Sequence, residues 1–172
     1  MHAEQNYTRT YARLTRWFRG KPRAVAGLKL LNGILVVLMY IAYPLLLAEL
    51  YLRRHSLLDP LLQRAFWIPA LSVLVLTVVR TRINRPRPYE SWPIRPLIPR
   101  NKQGESMPSR HVFSSTVIAM VYLYVHPLLG ILFLLVSLLS ALVRVLGGVH
   151  YPTDVTAGFV SGVLAGLLLW LW

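Results

Sequence analysis

Apolar residues run along the chain in five long stretches, parted by short polar segments rich in arginine, proline and glycine. The first, residues 30–52, is long enough as a helix to cross a hydrocarbon layer of about 30 Å at about 1.5 Å per residue. Residues 60–79, 108–125, 127–143 and 155–172 supply four more predicted spans. Pro44 predicts a kink in the first, while Asn32 and Glu49 near its ends can reach the interfaces. Arg64 and Trp67 are placed to anchor one end of the second. The third holds only 14 uncharged residues after His111, so its polar start must belong to the helix. A short Gly147-Gly148 link makes the fourth and fifth spans a tight hairpin. Gly158, Gly162 and Gly166 recur on one face of the last span, where they let another helix approach closely. Trp170 and Trp172 mark a membrane–water boundary.

Ahead of these spans lies a different pattern. Tyr7, Tyr11, Leu14, Trp17 and Phe18 recur at helical spacing, with Arg9, Arg13, Arg16, Arg19, Lys21 and Arg23 between them. Residues 1–24 therefore predict a basic amphipathic helix lying in the headgroup region. No secretory signal is visible.

Composition agrees with this partition. The 172 residues are 55% hydrophobic and 15% charged, where a soluble domain carries about 25% charged. The formal charge of +13 would suit a nucleic-acid binder, but its basic residues would not be separated by long apolar runs. Zero cysteines exclude disulfides, thiolate metal sites and thiol catalysis. The expectation is an all-α, polytopic membrane bundle forming a single domain over 1–172. Residues 25–172 make its core of about five transmembrane helices.

Five spans bring the N-terminus, residues 80–110 and the link 144–154 to one side of the membrane. Three clusters of polar residues collect there. Arg80 ends the second span, and Arg87-Pro88 follows, with Pro86 and Pro88 favouring an extended approach by Arg87. Pro108-Ser109-Arg110-His111 opens the third span, where Ser109 is a natural N-cap and free backbone N–H groups favour an anion. His111, two residues inside, is placed to donate a proton. Arg144 closes the fourth span, and His150 and Asp154 stand four apart, a spacing that joins side chains on one helical face. A carboxylate holding one imidazole nitrogen leaves the other free to attack.

Each cluster alone has a plain structural explanation: a topological arginine flank, a helix cap, an ion pair in a hairpin. Together they assemble three arginines, two histidines, a serine and a carboxylate. Guanidinium forks match phosphate oxygens, one histidine attacks phosphorus, and the other protonates the leaving oxygen. Neither a carboxylate-rich metal cage nor a P-loop is present, so a two-metal mechanism and a P-loop nucleotide enzyme are disfavoured.

In these residues the chain resembles the type-2 phosphatidic acid phosphatase family, related to bacterial acid phosphatases and vanadium haloperoxidases. The family's signature is Lys, six residues, Arg-Pro; then Pro-Ser-Gly-His; then Ser-Arg, five residues, His, three residues, Asp. Here it reads Arg80…Arg87-Pro88, Pro108-Ser109-Arg110-His111 and Val143-Arg144…His150…Asp154. The resemblance implies that His150 is the nucleophile of a phosphohistidine intermediate, oriented by Asp154, with His111 as general acid. It also implies that Arg80, Arg87, Ser109 and Arg144 hold the phosphate, with no metal or other cofactor. Three positions depart from the signature: Arg80 stands for Lys, Arg110 for Gly and Val143 for Ser. Arg110 either narrows the pocket or contacts a second phosphate. Family members often have six spans, and here the N-terminal basic helix stands where the first would be.

The expected activity is hydrolysis of a lipid phosphomonoester or pyrophosphate in the bacterial plasma membrane. Phosphatidic acid, phosphatidylglycerol phosphate, undecaprenyl pyrophosphate and lipid A phosphate are candidates, and no nucleic-acid partner is expected. A non-enzymatic scaffold binding anionic lipids is the alternative, but it leaves Arg144, His150 and Asp154 unexplained. Vanadium-dependent halide oxidation shares the site residues but is disfavoured with so little soluble domain. Of 19 basic residues, only Arg53, Arg54 and Arg64 fall on the side away from the clusters. The positive-inside rule therefore places the site in the cytoplasm. The outer-face activity of related bacterial enzymes argues against that placement.

Overall fold

The computed structural model describes residues 2–171, so Trp172, expected at a boundary with Trp170, lies outside it. The elements run α1 (His2–Leu14), a 3-10 turn (Arg16–Phe18), α2 (Pro22–Arg54), α3 (Pro60–Ile83), α4 (Pro88–Ser91), α5 (Arg110–Val125), α6 (Pro127–Leu146) and α7 (Pro152–Leu171). No strand occurs among the described residues. Among the described residues, four segments have the length and apolarity to cross a membrane: α2, Pro60–Ser91 beginning with α3, α6 and α7. The remaining predicted span, the third, corresponds to α5, which is only 16 residues long. It runs about 24 Å at 1.5 Å per residue, and its role is that of an inner helix. Val112, Val117, Ala119 and Val121 are wholly buried between its neighbours.

The chain's apolar pattern sorts into lipid-facing and inward stripes. On α2, Leu30, Ile34, Val37, Ile41 and Leu45 are exposed, at the i, i+3, i+4 spacing of one helical face. Leu35, Met39, Ala42, Leu46 and Leu50 form the buried face. The helix continues through Pro44 to Arg54. Tyr43, just before that proline, donates its hydroxyl to the Ala65 carbonyl of α3 at 2.9 Å. Asp59 caps α3, its Oδ1 accepting from the Leu61 and Leu62 amides at 3.0 and 3.1 Å. At the other end Asn84, in the left-handed conformation, stops α3 before Arg85-Pro86.

The glycine stripe of α7 sets how closely α5 lies. A Cβ at Gly162 would come within 2.7 Å of Thr116 Cβ, and one at Gly158 within 2.7 Å of the Ser109 carbonyl oxygen. Only hydrogen fits there, as the spacing predicted. The approach holds the start of α5 against the start of α7, where the Ser109 amide donates to the Asp154 carbonyl at 2.9 Å.

The N-terminal helix sets one aromatic face against the rest of the bundle. It docks on protein. Tyr11 is 5% exposed, and its hydroxyl donates to the Leu146 carbonyl at 3.1 Å. Tyr7 packs on Trp92 and Tyr151, with ring centroids 5.7 and 5.2 Å away. Trp17, by contrast, stays exposed.

Candidate active site

The three polar clusters meet at one end of the bundle. Arg80, in the last turn of α3, donates through its two terminal nitrogens to the Pro108 and Glu105 carbonyls. Arg87 follows in extended backbone, as the flanking prolines predicted. Its Nε donates to the Gly104 carbonyl at 3.0 Å and its Nη1 to the Val149 carbonyl at 3.2 Å. Both guanidinium groups thus stitch the loop before α5 to its surroundings. Each terminal nitrogen still carries a second N–H.

Arg144 behaves differently. It sits in the last turn of α6 and is 1% exposed, yet its Nε, Nη1 and Nη2 have no hydrogen-bond partner among the described residues. The Ser109 hydroxyl is likewise buried and unpartnered. Ser109 occupies the N-cap position of α5, but its side chain makes no capping bond, contrary to expectation. A buried guanidinium and hydroxyl left without partners are costly unless an anion completes them.

His150 and Asp154 come together by a route other than the expected helical face. α7 begins at Pro152, so His150 lies in the preceding link. The His150 Nδ1 and Asp154 Oδ2 stand 3.6 Å apart. Ser106 occupies the gap: its hydroxyl donates to Oδ2 at 2.5 Å, and its oxygen lies 3.3 Å from Nδ1. Asp154 Oδ2 also accepts the Tyr151 amide at 3.0 Å, and Oδ1 accepts from Arg85 Nη1 at 2.8 Å. Burial pulls the His150 imidazole down from its usual 6.5 to about 4, against the opposing effect of Asp154. The ring is therefore neutral at neutral pH. With the Ser106 proton committed to Asp154, the Ser106 oxygen accepts from Nδ1–H, and the lone pair stays on Nε2.

Sequence reasoning missed Ser106 and Arg85 as parts of this cluster. Arg85 lies 4.3 Å from the Tyr151 ring centroid, besides its ion pair with Asp154. Nothing in the spacing marks Ser106. Arg85 lies between Arg80 and Arg87, which carry the stronger pattern.

His111 and Arg110 add a cavity to this end of the bundle. They line a cavity of about 510 Å³ bounded by α2, α3 and α5. Its other walls include Met39, Tyr43, Phe66, Val73 and Ile118, so the cavity is polar at the start of α5 and mostly apolar beyond.

Known proteins resemble the chain in sequence and in fold. Residues 61–172 match the model of the PAP2 superfamily. The chain is 27% identical over 160 residues to the undecaprenyl-diphosphatase BcrC of Bacillus subtilis, covering 85% of this chain and 79% of that protein. The crystal structure of Aquifex aeolicus LpxE superposes with a TM-score of 0.71 at 20% identity, over 95% of this chain and 94% of the other. A PAP2-type phosphatidylglycerolphosphate phosphatase from Bacillus subtilis gives a TM-score of 0.72 at 21% identity, over 98% and 85%. These two structures share the fold. The family match takes in all three polar clusters, and the chain belongs to the PAP2 superfamily as an integral-membrane phosphatase.

Proposed function

We propose that the protein removes the terminal phosphate from a lipid phosphomonoester or pyrophosphate through a phosphohistidine at His150. The observation that carries this is that the Arg144 guanidinium and the Ser109 hydroxyl are both buried and have no hydrogen-bond partner among the described residues. Together they offer donors suited to a tetrahedral oxyanion. Arg80 and Arg87 add positive charge and hold the loop carbonyls in place. The similarity to an undecaprenyl-diphosphatase, and the fold shared with a phosphatidylglycerolphosphate phosphatase, support a lipid substrate. So does the apolar cavity beyond His111, which suits a hydrocarbon tail.

The chemistry follows from the proton positions. The Nε2 lone pair of His150 forms a bond to phosphorus as the bond from phosphorus to the lipid oxygen breaks. Asp154, directly and through Ser106, stabilises the positive charge that grows on the ring. His111 gives its proton to the departing oxygen, releasing the dephosphorylated lipid. Water then attacks phosphorus, His111 takes up its proton, and inorganic phosphate leaves with His150 restored. Guanidinium groups meet the phosphate's charge throughout, and activity is expected to persist in chelator.

A detergent-solubilised panel of phosphatidic acid, phosphatidylglycerol phosphate and undecaprenyl pyrophosphate tests the reading by phosphate release. His150→Ala is expected to abolish release from every substrate that the wild type cleaves. Equal release by both proteins removes His150 as nucleophile.

A further inference from the structure

Arg110 stands where the family signature has glycine, and its surroundings give it a specific use. It is exposed at the first position of α5, and it lines the same cavity as His111 and Ser114. Arg144, by contrast, is sealed inside the bundle. The two arginines therefore address different parts of a substrate. Arg144 meets the phosphoryl group under attack. The cavity side receives what departs, because His111, the proton donor to the leaving oxygen, faces it.

We propose, on the phosphatase reading above, that Arg110 binds the phosphate of the leaving group and selects lipid diphosphates over lipid monophosphates. In a diphosphate the leaving group is itself a phosphate, one bond beyond the bridging oxygen that His111 protonates. That second phosphate stays charged at the cavity mouth, and a guanidinium there pairs with it. In a monophosphate the same place holds an uncharged part of the lipid, which gives Arg110 no counter-ion. His150 attacks the terminal phosphorus, the bond from that phosphorus to the bridging oxygen breaks, and the proton from His111 goes to the bridging oxygen. The lipid leaves as a monophosphate. Hydrolysis of the phosphohistidine then yields inorganic phosphate.

Farnesyl diphosphate and farnesyl monophosphate test this with one tail and two headgroups. Phosphate release by the full-length protein in detergent gives kcat/KM for each. The ratio of diphosphate to monophosphate is expected to fall about 10- to 100-fold in Arg110→Gly, the loss of a charged hydrogen bond. Arg110→Lys, which keeps the charge, is expected to recover much of the ratio. Arg110→Gln keeps helix propensity and length without charge, and covers a glycine variant that unsettles the start of α5. An unchanged ratio in Arg110→Gly and Arg110→Gln overturns the assignment, and leaves Arg110 contacting surrounding lipid headgroups instead. His150→Ala separates the two claims: release from both probes at the wild-type rate overturns the phosphohistidine reading itself.

Discussion

His150 and Asp154 are near neighbours without a direct hydrogen bond: 3.6 Å separates Nδ1 from Oδ2, and the Ser106 hydroxyl bridges them. A carboxylate buried at 0% exposure thus acts on the imidazole largely through a serine from the loop before α5. The arrangement ties the orientation of His150 to the conformation of that loop, which Arg80 and Arg87 hold by its carbonyls.

Removal of that bridge makes the first prediction. Ser106→Ala is expected to lower kcat by about 10- to 100-fold, the scale of one buried hydrogen bond lost beside a growing charge. KM should change little, because Ser106 faces the ring nitrogen away from the attacked phosphorus. Combined with Asp154→Asn, the two losses should be less than additive, because both act through the same nitrogen. Steady-state kinetics of the single and double variants measure this directly. Full additivity contradicts the relay.

Arg144 carries the second prediction. A buried guanidinium without protein partners destabilises the ligand-free protein, and the phosphate oxyanion is what completes it. Arg144→Met is expected to abolish turnover while stabilising the ligand-free protein by about 1–4 kcal/mol, the range seen when buried charges give way to packed apolar side chains. Inorganic phosphate should raise the thermal midpoint of the wild type and leave that of the variant unchanged. Thermal unfolding in detergent, with and without phosphate, reads both effects. A variant that phosphate still stabilises contradicts this role.

Much of this architecture was legible in the order of residues, for reasons particular to membranes. A span needs an unbroken apolar run, so α2, α3, α6 and α7 stand out, and a charged residue beside such a run calls for a partner or a role. That made Arg80, Arg144 and His150 conspicuous. The glycines of α7 were legible as well, since recurrence every four residues in a bilayer helix has few other uses. Other features depend on tertiary contact. Ser106 carries no periodicity, and its role arises only because its loop folds over His150. The amphipathic pattern of α1 could not say whether its aromatic face meets lipid or protein: Tyr11 meets protein, and Trp17 is exposed. The free hydroxyl of Ser109 runs against the usual capping habit of serine. The His150–Asp154 spacing was informative although α7 starts too late for a shared helical face.

The pH dependence of the covalent step follows from the buried imidazole. A histidine ordinarily titrates near 6.5, and burial lowers His150 to about 4. Attack needs the neutral ring, so the nucleophile stays competent as pH falls through 6 and 5, and is lost as pH falls through about 4. Rapid-quench measurement of phosphohistidine formation should therefore place the acid limb near 4. A midpoint near 6.5 would show a solvated histidine and contradict the packing around it.

Charge distribution gives a prediction for the membrane orientation. With Arg80, Arg87 and Arg144 set aside as ligands, 13 basic residues still lie on the site's side against 3 on the other. By the positive-inside rule the site is expected on the cytoplasmic side. Asn101→Cys introduces the single cysteine of a cysteine-free chain into an exposed loop beside the site. An impermeant thiol reagent is expected to label it only after cells are opened. Labelling in intact cells places the site on the outer face.

The central claim is that a covalent bond forms between phosphorus and the imidazole at position 150. Rapid acid-free quenching of the enzyme with a lipid substrate radiolabelled in its terminal phosphate, followed by peptide mapping, tests it most directly. The account predicts a base-stable, acid-labile phosphoryl group on His150, absent from His150→Ala and accumulating when His111 is replaced by Gln with a good leaving group. A label on another residue, or turnover with no labelled protein at any time, contradicts it.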